Sequence, residues 1–388
     1  MRRFAALMCA GLNDLGHDAQ IIRPSEIAGR LTSRSAKVWK WLGYVDKLIL
    51  FPFALKAAIE WADVVHICDH SNSLYVPRYF KRRPHVVTCH DMLAVRCAYG
   101  EIPENQIGWA GRHLQNLILN GLLRAQEIVC VSEATKADLL RLSGLPETRI
   151  SRIDNGLNYP YSPMDTDEAA LLSKLGVGST QPFVLHVGGN QWYKNRLGVL
   201  RIFSALRQHT PGRDFRLVMV GKPWTPEMRQ FVLHHQLERV VAELIEPTEQ
   251  ELQALYSTAT MLLFPSLQEG FGWPIIEAQS CGCPVVTSNR PPMNVIGGDG
   301  AIYIDPDDVK LAAVTIVGSL SRLRETREAG LRNAERFSTP RMIYAYADLY
   351  RKLVETPSPG EPGLPAPPFG EEDLETTGRR AQAQSMGR

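Results

Sequence analysis

The chain has 388 residues, a formal net charge of +2, 44% hydrophobic and 22% charged residues. This length suffices for two domains with a core each, and the near-neutral charge excludes a protein that binds nucleic acid over its whole surface. The sequence contains no signal-peptide pattern and no apolar run of about 18 residues that would cross a membrane. Seven cysteines without a CxxC pair predict buried thiols. The sequence therefore predicts a cytoplasmic protein.

The first predicted elements are a helix and a short strand. Apolar residues from Phe4 to Leu15 recur at helical spacing, and the chain turns at Gly16 into a predicted strand. Because an α/β domain is expected to open with a strand and a loop, the first domain is predicted to lack its first strand. We expect such a chain to be poorly soluble or weakly active, and an upstream strand with a Gly-Gly loop to restore both.

Residues 37–56 interleave lysines with tryptophan, tyrosine and phenylalanine. One interpretation is a helix at a membrane surface, which predicts peripheral contact with the inner face of the membrane. The other is an amphipathic helix packed on its own domain, since lysine stems often border a buried face.

Two runs rich in β-branched residues, 62–69 and 84–91, predict strands that end in polar groups. Ligands in open α/β sheets bind beyond the carboxyl ends of the strands, so these polar groups are candidates for chemistry. They are His66, Asp69, His70, His90 and Asp91. A histidine at such a position is more often structural, and for His90 both interpretations stay open.

The middle of the chain predicts a strand, a capped helix and a connection between domains. Residues 125–131 form the strand candidate, and Ser132 is placed to cap the following helix. Asn155-Gly156 is a turn signal, and the prolines and tyrosines around it mark an inter-domain segment.

Residues 181–206 predict a strand, a glycine turn and a helix that starts near Asn195. Gly188 and Gly189 form the turn, and Lys194 stands at the junction of loop and helix. A point charge beside a helix N-terminus suits a diphosphate. The alternative for Lys194 is a solvated surface lysine.

The most informative stretch runs from Met261 to Val286. An apolar run predicts a buried parallel strand, and Pro274 suits the start of the helix after the glycine turn. A strand, a glycine loop and a helix N-terminus make a site for anions. Glu269 in the loop and Glu277 one turn into the helix are expected to face the same ligand. Taken singly, they are also explained as a strand end and a first-turn glutamate favoured by the helix dipole.

The last third predicts two short strands within 284–308 and a helix over 338–353. The proline-rich end cannot bury enough apolar surface to fold and is predicted to be disordered. The predicted domain limits are 1–160 for the first domain, 161–337 for the second, 338–354 for a helix that returns to the first domain and 355–388 for the tail.

The motif formed by Glu269, Gly270, Phe271, Gly272 and Glu277, with the proline and the small-residue strand SCGCPVV, resembles the signature of family 4 retaining glycosyltransferases. These enzymes use nucleotide sugars and have the GT-B fold. The resemblance covers about residues 1–350 and implies an α/β protein with two Rossmann-like domains that face a cleft.

The resemblance also implies site residues and a donor substrate, a nucleotide diphosphate sugar, with no cofactor and no metal. Glu269 with the Phe271 and Gly272 backbone would contact the sugar, Glu277 the ribose, and His90 would orient the sugar or the acceptor. The donor-binding set implied is Gly188, Gly189, Lys194, Glu269, Gly270, Phe271, Gly272 and Glu277, with the base near residues 244–247. The family's arginine falls here on Gly189, so Arg196 or Lys222 would have to supply the second cation.

The function implied is that of a retaining hexosyltransferase that transfers sugar to a glycan, a lipid-linked or another hydroxyl acceptor, in cell-surface polysaccharide synthesis. A catalytically weak or inactive sugar-nucleotide-binding scaffold is the alternative, motivated by the missing strand and by Gly189. An epimerase or phosphorylase is less supported, because the first half lacks paired acid residues and no cofactor lysine motif is found.

Overall fold

The computed structural model describes residues 2–24, 46–80, 83–164, 175 and 181–355. Contacts divide the chain into two compact units, Met1–Arg152 with Ala347–Arg388, and Ile153–Tyr346. The domain limits drawn from the sequence stay predictions. The predicted tail lies, from residue 356 on, outside the described residues.

The first unit is built on a four-stranded parallel sheet. Its strands lie side by side in chain order: β1 Val65–Ile67, β2 His85–Cys89, β3 Glu127–Cys130 and β4 Ile150–Arg152. Every residue of β2 is buried, which explains why this strand is a continuous run instead of an alternating one. The strands predicted at 62–69, 84–91 and 125–131 are therefore confirmed.

Helices accompany this sheet. They are α1 Arg2–Asp14, α2 Phe51–Trp61, α3 Val76–Tyr79, α4 Leu93–Ala98, α5 Trp109–Leu123 and α6 Glu133–Ser143. The predicted cap of α6 is confirmed, because the Ser132 side chain accepts a hydrogen bond of 3.2 Å from the Thr135 N–H.

The strand predicted after Gly16 is wrong. Residues 17–24 have no regular secondary structure, and Ile21 and Ile22 are 49% and 41% exposed. The Ala19 backbone bonds instead to the side chain of Asn13 at the end of α1, through its N–H at 2.8 Å and its carbonyl at 3.1 Å. The segment thus satisfies backbone groups against a helix end, and its apolar side chains face solvent.

The second unit contains a six-stranded parallel sheet. Its strands are β5 Phe183–Gly188, β6 Arg216–Gly221, β7 Val241–Ile245, β8 Met261–Phe264, β9 Val285–Ser288 and β10 Ala301–Ile304. They lie in the order β10-β9-β8-β5-β6-β7. Read from β7, this is the order 3-2-1-4-5-6 of a dinucleotide-binding Rossmann fold, with its reversal between β5 and β8. Ligands bind at such a reversal, outside the carboxyl ends of the strands.

The helices of the second unit are α7 Arg196–Leu206, α8 Pro226–His234, α9 Glu249–Thr258, α10 Trp273–Ser280, α11 Met293–Gly297, α12 Val309–Ser319 and α13 Leu323–Ala334. Side chains of α7, α8 and α12 pack with those of the strands into one apolar core that includes Leu200, Phe203, Met219 and Leu263. The helix that begins beside Asn195 and the strands of 284–308 are confirmed.

The final helix, α14, runs Thr339–Glu355, as predicted for 338–353. Its residues up to Tyr346 belong to the second unit, and those from Ala347 on belong to the first. None of the described helices is long and apolar enough to cross a bilayer.

Candidate active site

Lys194 and Glu269 meet at the reversal point of the second sheet. Lys194 follows β5 and Glu269 follows β8, and the Lys194 Nζ lies 2.7 and 2.9 Å from the two carboxylate oxygens of Glu269. The two side chains are only 17% and 7% exposed. The interpretation of Lys194 as a solvated surface lysine is therefore wrong. The ion pair places one positive and one negative group where an α/β sheet binds ligands.

The loops that carry this pair are fastened to each other. The Leu267 N–H donates to the Tyr193 carbonyl at 2.7 Å, and the Asn195 Nδ2 donates to the Pro265 carbonyl at 3.0 Å. Asn195 is the N-cap of α7 and has a left-handed backbone with φ of 53°. These contacts hold the N-terminus of α7 beside the loop after β8, so the dipole of α7 adds positive potential near Lys194.

Glycines at the ends of β5 and β6 bring the two strands close together. Gly221 has φ of +146°, and a Cβ there would lie 2.0 Å from the Gly188 carbonyl oxygen. Only glycine permits this approach. A Cβ on Gly189 would meet the Gln191 side chain at 2.5 Å. The predicted donor-binding glycines thus lie at the carboxyl end of β5, where Gly188 is the last residue of the strand and Gly189 follows it.

Each of the two residues suggested as substitutes for the family's arginine has a protein partner, and Arg196 uses only one of its three nitrogens for it. Arg196 is 4% exposed, and its Nη1 donates to the Lys222 carbonyl at 2.7 Å and to the Asn190 side chain. Burial lowers the pKa of Arg196. The Lys222 Nζ pairs at the surface with Glu246, in the segment expected near the base. Arg196 therefore ties the loop after β5 to the loop after β6.

The turn before α10 depends on Gly272. This residue is the N-cap of α10 with φ of +103°, and Pro274 follows within the first turn. The Phe271 side chain is 3% exposed and packs edge-on against Trp273 and Phe337, at 5.8 and 5.7 Å between ring centroids. Because that ring is buried, the loop from Gly270 to Gly272 offers a ligand backbone groups rather than the phenylalanine side chain.

Glu277 lies on α10 and is 6% exposed. Its Oε1 accepts a hydrogen bond of 3.1 Å from the Asn158 Nδ2, and its Oε2 accepts one of 2.9 Å from the Tyr256 hydroxyl. Burial raises the pKa of Tyr256 well above its usual value, so the phenol stays protonated and donates. The interpretation of Glu277 as a plain first-turn glutamate omits these two specific partners.

His90 belongs to the first unit, at the end of β2. It is 4% exposed, and its Nε2 donates to the Cys68 carbonyl at 2.9 Å. The Phe4 ring packs edge-on against it at 5.1 Å. Burial lowers the pKa of His90 to about 4, so the imidazole is neutral at physiological pH.

Three other polar candidates of the first unit, Asp69, Asp91 and His66, have local partners. Asp69 and Asp91 accept hydrogen bonds from the backbone N–H groups of Ser71 and Leu93 at 2.9 and 3.0 Å, as caps do. His66 lies between the Thr88 and Tyr350 hydroxyls at 2.7 and 2.6 Å, and burial lowers its pKa to about 3. These contacts support the structural interpretation of these residues.

The stretch 37–56 is described only from residue 46. Leu55 and Ile59 on one face of α2 are buried, so this helix packs on its own unit. Phe53 and Ile49, however, are 77% and 58% exposed. Lys37 and Lys40 lie outside the described residues.

Asn158 and Tyr256 were not predicted. Asn158 stands two residues after Gly156. The Asn155-Gly156 dipeptide predicted only a turn at this point of the chain. Tyr256 lies 21 positions before Glu277, on another helix. No local pattern indicates such a contact, because it depends on how α9 and α10 pack.

Comparisons with known proteins identify the family. Residues 1–159 match the family described as Glycosyltransferase Family 4, and residues 167–336 match the family described as Glycosyl transferases group 1. The O-antigen chain mannosyltransferase B of Escherichia coli is 30% identical over 286 residues, which are 71% of this chain and 73% of that protein.

Two solved structures share the fold. Sucrose-phosphate synthase from Thermosynechococcus elongatus has a TM-score of 0.70 at 20% identity, over 90% of this chain and 92% of that one. HepE from Anabaena, in complex with UDP and glucose, has a TM-score of 0.69 at 17% identity, over 90% and 95%. The chain therefore belongs to the family 4 glycosyltransferases, with the GT-B fold.

Proposed function

We propose that the protein is a retaining hexosyltransferase that moves a sugar from a nucleotide diphosphate sugar to a hydroxyl of a glycan or lipid-linked acceptor, in cell-surface polysaccharide synthesis. The observation that carries this proposal is the Lys194–Glu269 pair at the sheet reversal, with Glu277 on the helix that follows. The relative from Escherichia coli, an O-antigen chain mannosyltransferase, supports mannose as the first sugar to test.

In this proposal the donor lies across the carboxyl ends of β5 and β8. Lys194 and the backbone at Gly188 and Gly189 hold the diphosphate, because ammonium and backbone N–H groups both donate to phosphate oxygens. Glu277 accepts hydrogen bonds from the ribose hydroxyls. Glu269 and the backbone from Gly270 to Gly272 hold the sugar.

The reaction breaks the bond between the anomeric carbon and the β-phosphate oxygen and forms one to the acceptor oxygen, whose proton is released. Negative charge grows on the leaving diphosphate, and Lys194 with the N-terminus of α7 stabilises it. We propose that this stabilisation takes the place of a metal. EDTA would then leave the transfer rate unchanged.

His90 orients the sugar or the acceptor hydroxyl through hydrogen bonds. A pKa of about 4 keeps its ring neutral, so it would act by position and not as a general acid. A peripheral site at the inner face of the membrane would bring the enzyme to lipid-linked acceptors, and the exposed Phe53 and Ile49 support such contact.

Two carboxylate variants test the division of roles. Glu277→Ala should weaken donor binding with little change in kcat, because ribose contacts are equal in ground and transition states. Glu269→Ala should chiefly lower kcat, by about 100-fold. Isothermal titration with UDP, GDP and their glucose and mannose esters measures binding, and release of the nucleoside diphosphate measures turnover. Unchanged binding together with reduced turnover in Glu277→Ala would contradict the ribose assignment.

Gly189, at the position of the family's arginine, favours a second candidate, a sugar-nucleotide-binding scaffold with little turnover. One fewer cation at the diphosphate reduces stabilisation of the leaving group. Binding of a labelled nucleotide sugar without its hydrolysis or transfer, across a panel of acceptors, would favour the scaffold.

A further inference from the structure

The buried carboxylate of Glu277 is held by two neutral donors from different parts of the second unit. Asn158 belongs to the segment that opens this unit, and Tyr256 belongs to α9. Each donates to a different oxygen, at 3.1 and 2.9 Å. Two donors on two oxygens fix both the position and the rotation of the carboxylate plane.

The backbone before Asn158 is fixed by contacts with neighbouring segments. The Trp273 indole N–H donates to the Gly156 carbonyl at 3.1 Å, and the Leu157 N–H donates to the Phe337 carbonyl at 3.2 Å. The Thr339 hydroxyl donates to the Leu157 carbonyl at 2.7 Å. A Cβ on Gly156 would lie 2.7 Å from the Thr339 Cα, so the backbone before Asn158 fits its neighbours without room to shift.

Tyr256 is held as firmly. It is fully buried, and α9 begins with a capping box between Thr248 and Glu251. The Tyr161 ring packs edge-on against the Tyr256 ring at 5.8 Å. Tyr161 directs its own hydroxyl to Glu249, at 2.6 Å, and not to Glu277. The two tyrosines thus share packing but serve different carboxylates.

Both of these donors to Glu277 are uncharged. Neutral donors compensate for the burial of a carboxylate and leave it an anion. The arrangement suits recognition of a pair of adjacent hydroxyl groups by an oriented anion.

We propose that Asn158 and Tyr256 are positioning residues that aim Glu277 at the ribose hydroxyls of the donor and so set selectivity for a ribonucleotide. This inference rests on the proposed function, in which Glu277 binds the ribose. Neither residue touches the donor; each acts through the carboxylate.

The test compares binding of a ribonucleoside diphosphate with that of its 2′,3′-dideoxy form, by titration calorimetry on the full chain. For the parental protein the dideoxy form should bind about tenfold or more weakly. Tyr256→Phe and Asn158→Ala should each lower affinity for the ribonucleotide by about tenfold and leave affinity for the dideoxy form unchanged. A purely structural defect would weaken both ligands alike.

The matched control is Tyr161→Phe, which removes a buried hydroxyl from the same aromatic contact without touching Glu277. It should keep the parental preference for the ribonucleotide. In a Glu277→Ala background, Tyr256→Phe should have no further effect on affinity, since its partner is gone. If Tyr256→Phe does not fold, as thermal unfolding would show, Asn158→Ala carries the same comparison.

Three results would overturn the inference: parental selectivity in Tyr256→Phe and Asn158→Ala, an equal loss in Tyr161→Phe, or an additional loss in the Glu277→Ala background. These failures differ from failure of the proposed function. If the parental protein binds no nucleoside diphosphate, or if Glu277→Ala does not alter the preference for ribose, the proposed donor site itself is wrong.

Discussion

The Lys194–Glu269 ion pair joins two loops of the second unit, and in the proposed function it also takes part in the chemistry. Both side chains are largely buried, so removal of either one leaves the other as an uncompensated buried charge. The donor diphosphate would bring a second anion to Lys194. Lys194 therefore has to stay in place through its contact with Glu269 and also donate to phosphate. An ammonium group can do both, because it has three N–H donors.

Lys194→Ala should reduce kcat by about 100-fold, because it removes the charge beside the leaving diphosphate. Lys194→Arg should lose less, since it keeps the charge. Lys194→Ala should also lower the unfolding midpoint, because the carboxylate of Glu269 loses its partner. The double variant Lys194→Ala with Glu269→Ala should regain stability but not activity. Thermal unfolding and steady-state kinetics measure both effects, and parental kcat in Lys194→Ala would contradict the phosphate assignment.

At the scale of single elements, the site depends on where helices begin. α7 and α10 each start from a residue with a left-handed backbone, Asn195 and Gly272. Each helix also follows a strand next to the sheet reversal. The turn geometry therefore determines which backbone N–H groups face the ligand.

Gly272→Ala should destabilise the protein by about 1–3 kcal/mol, because φ of +103° is unfavourable for a residue with a Cβ. It should also raise KM for the donor, since the loop that carries Glu269 shifts. Gly318→Ala is the control: Gly318 lies in α12 with open space around it, and alanine favours a helix. Urea unfolding measures the stability of the two variants. Equal stability would contradict a cost from the backbone conformation of Gly272.

Helix α2 and Ile49, which lies just before it, allow a sharper test of membrane contact than the sequence alone. Phe53→Ser and Ile49→Ser should reduce binding to anionic vesicles, and binding should fall with added salt as expected of exposed lysines. Leu233→Ser removes an equally exposed apolar side chain from the second unit and should have no effect. Cosedimentation measures the bound fraction. Equal binding by all three variants would favour the interpretation of α2 as an ordinary amphipathic helix.

At the scale of the whole molecule, buried neutral histidines make stability depend on pH. Burial lowers the pKa of His66 and His186 to about 3 and that of His90 to about 4. The unfolded chain binds a proton at each of these positions near pH 6.5. Their contribution to stability is therefore complete above pH 6.5 and is lost as the pH falls toward the folded-state pKa values.

Each such histidine adds a slope of up to about 1.4 kcal/mol per pH unit between these limits. The unfolding midpoint should therefore fall steeply from pH 6.5 to 5. His186→Gln should make the stability of the protein depend less steeply on pH. His186 is fully buried in the second unit, where it donates to the Leu263 carbonyl. His234→Gln, at an exposed position, should leave the pH dependence unchanged. Identical pH profiles for both variants would contradict this account.

The sequence by itself determined most of the elements and indicated the candidate site residues. Short-range signals encode them: continuous apolar runs give β2 and β8, Ser132 gives a cap, and the glycine turns with Lys194, Glu269 and Glu277 mark the motif proposed to bind the donor. Even the wrong strand after Gly16 followed from such signals. Its failure came from a competing contact with Asn13, which no local pattern of apolar residues reveals.

Only the tertiary structure decided which of these residues meet. Lys194 and Glu269 are 75 positions apart, and Asn158 and Glu277 are 119 apart. Their contacts follow from the strand order, which places β5 beside β8, and from the packing of α9 and α10. Local propensities do not specify strand order, because it depends on the burial of whole helices and sheets against each other.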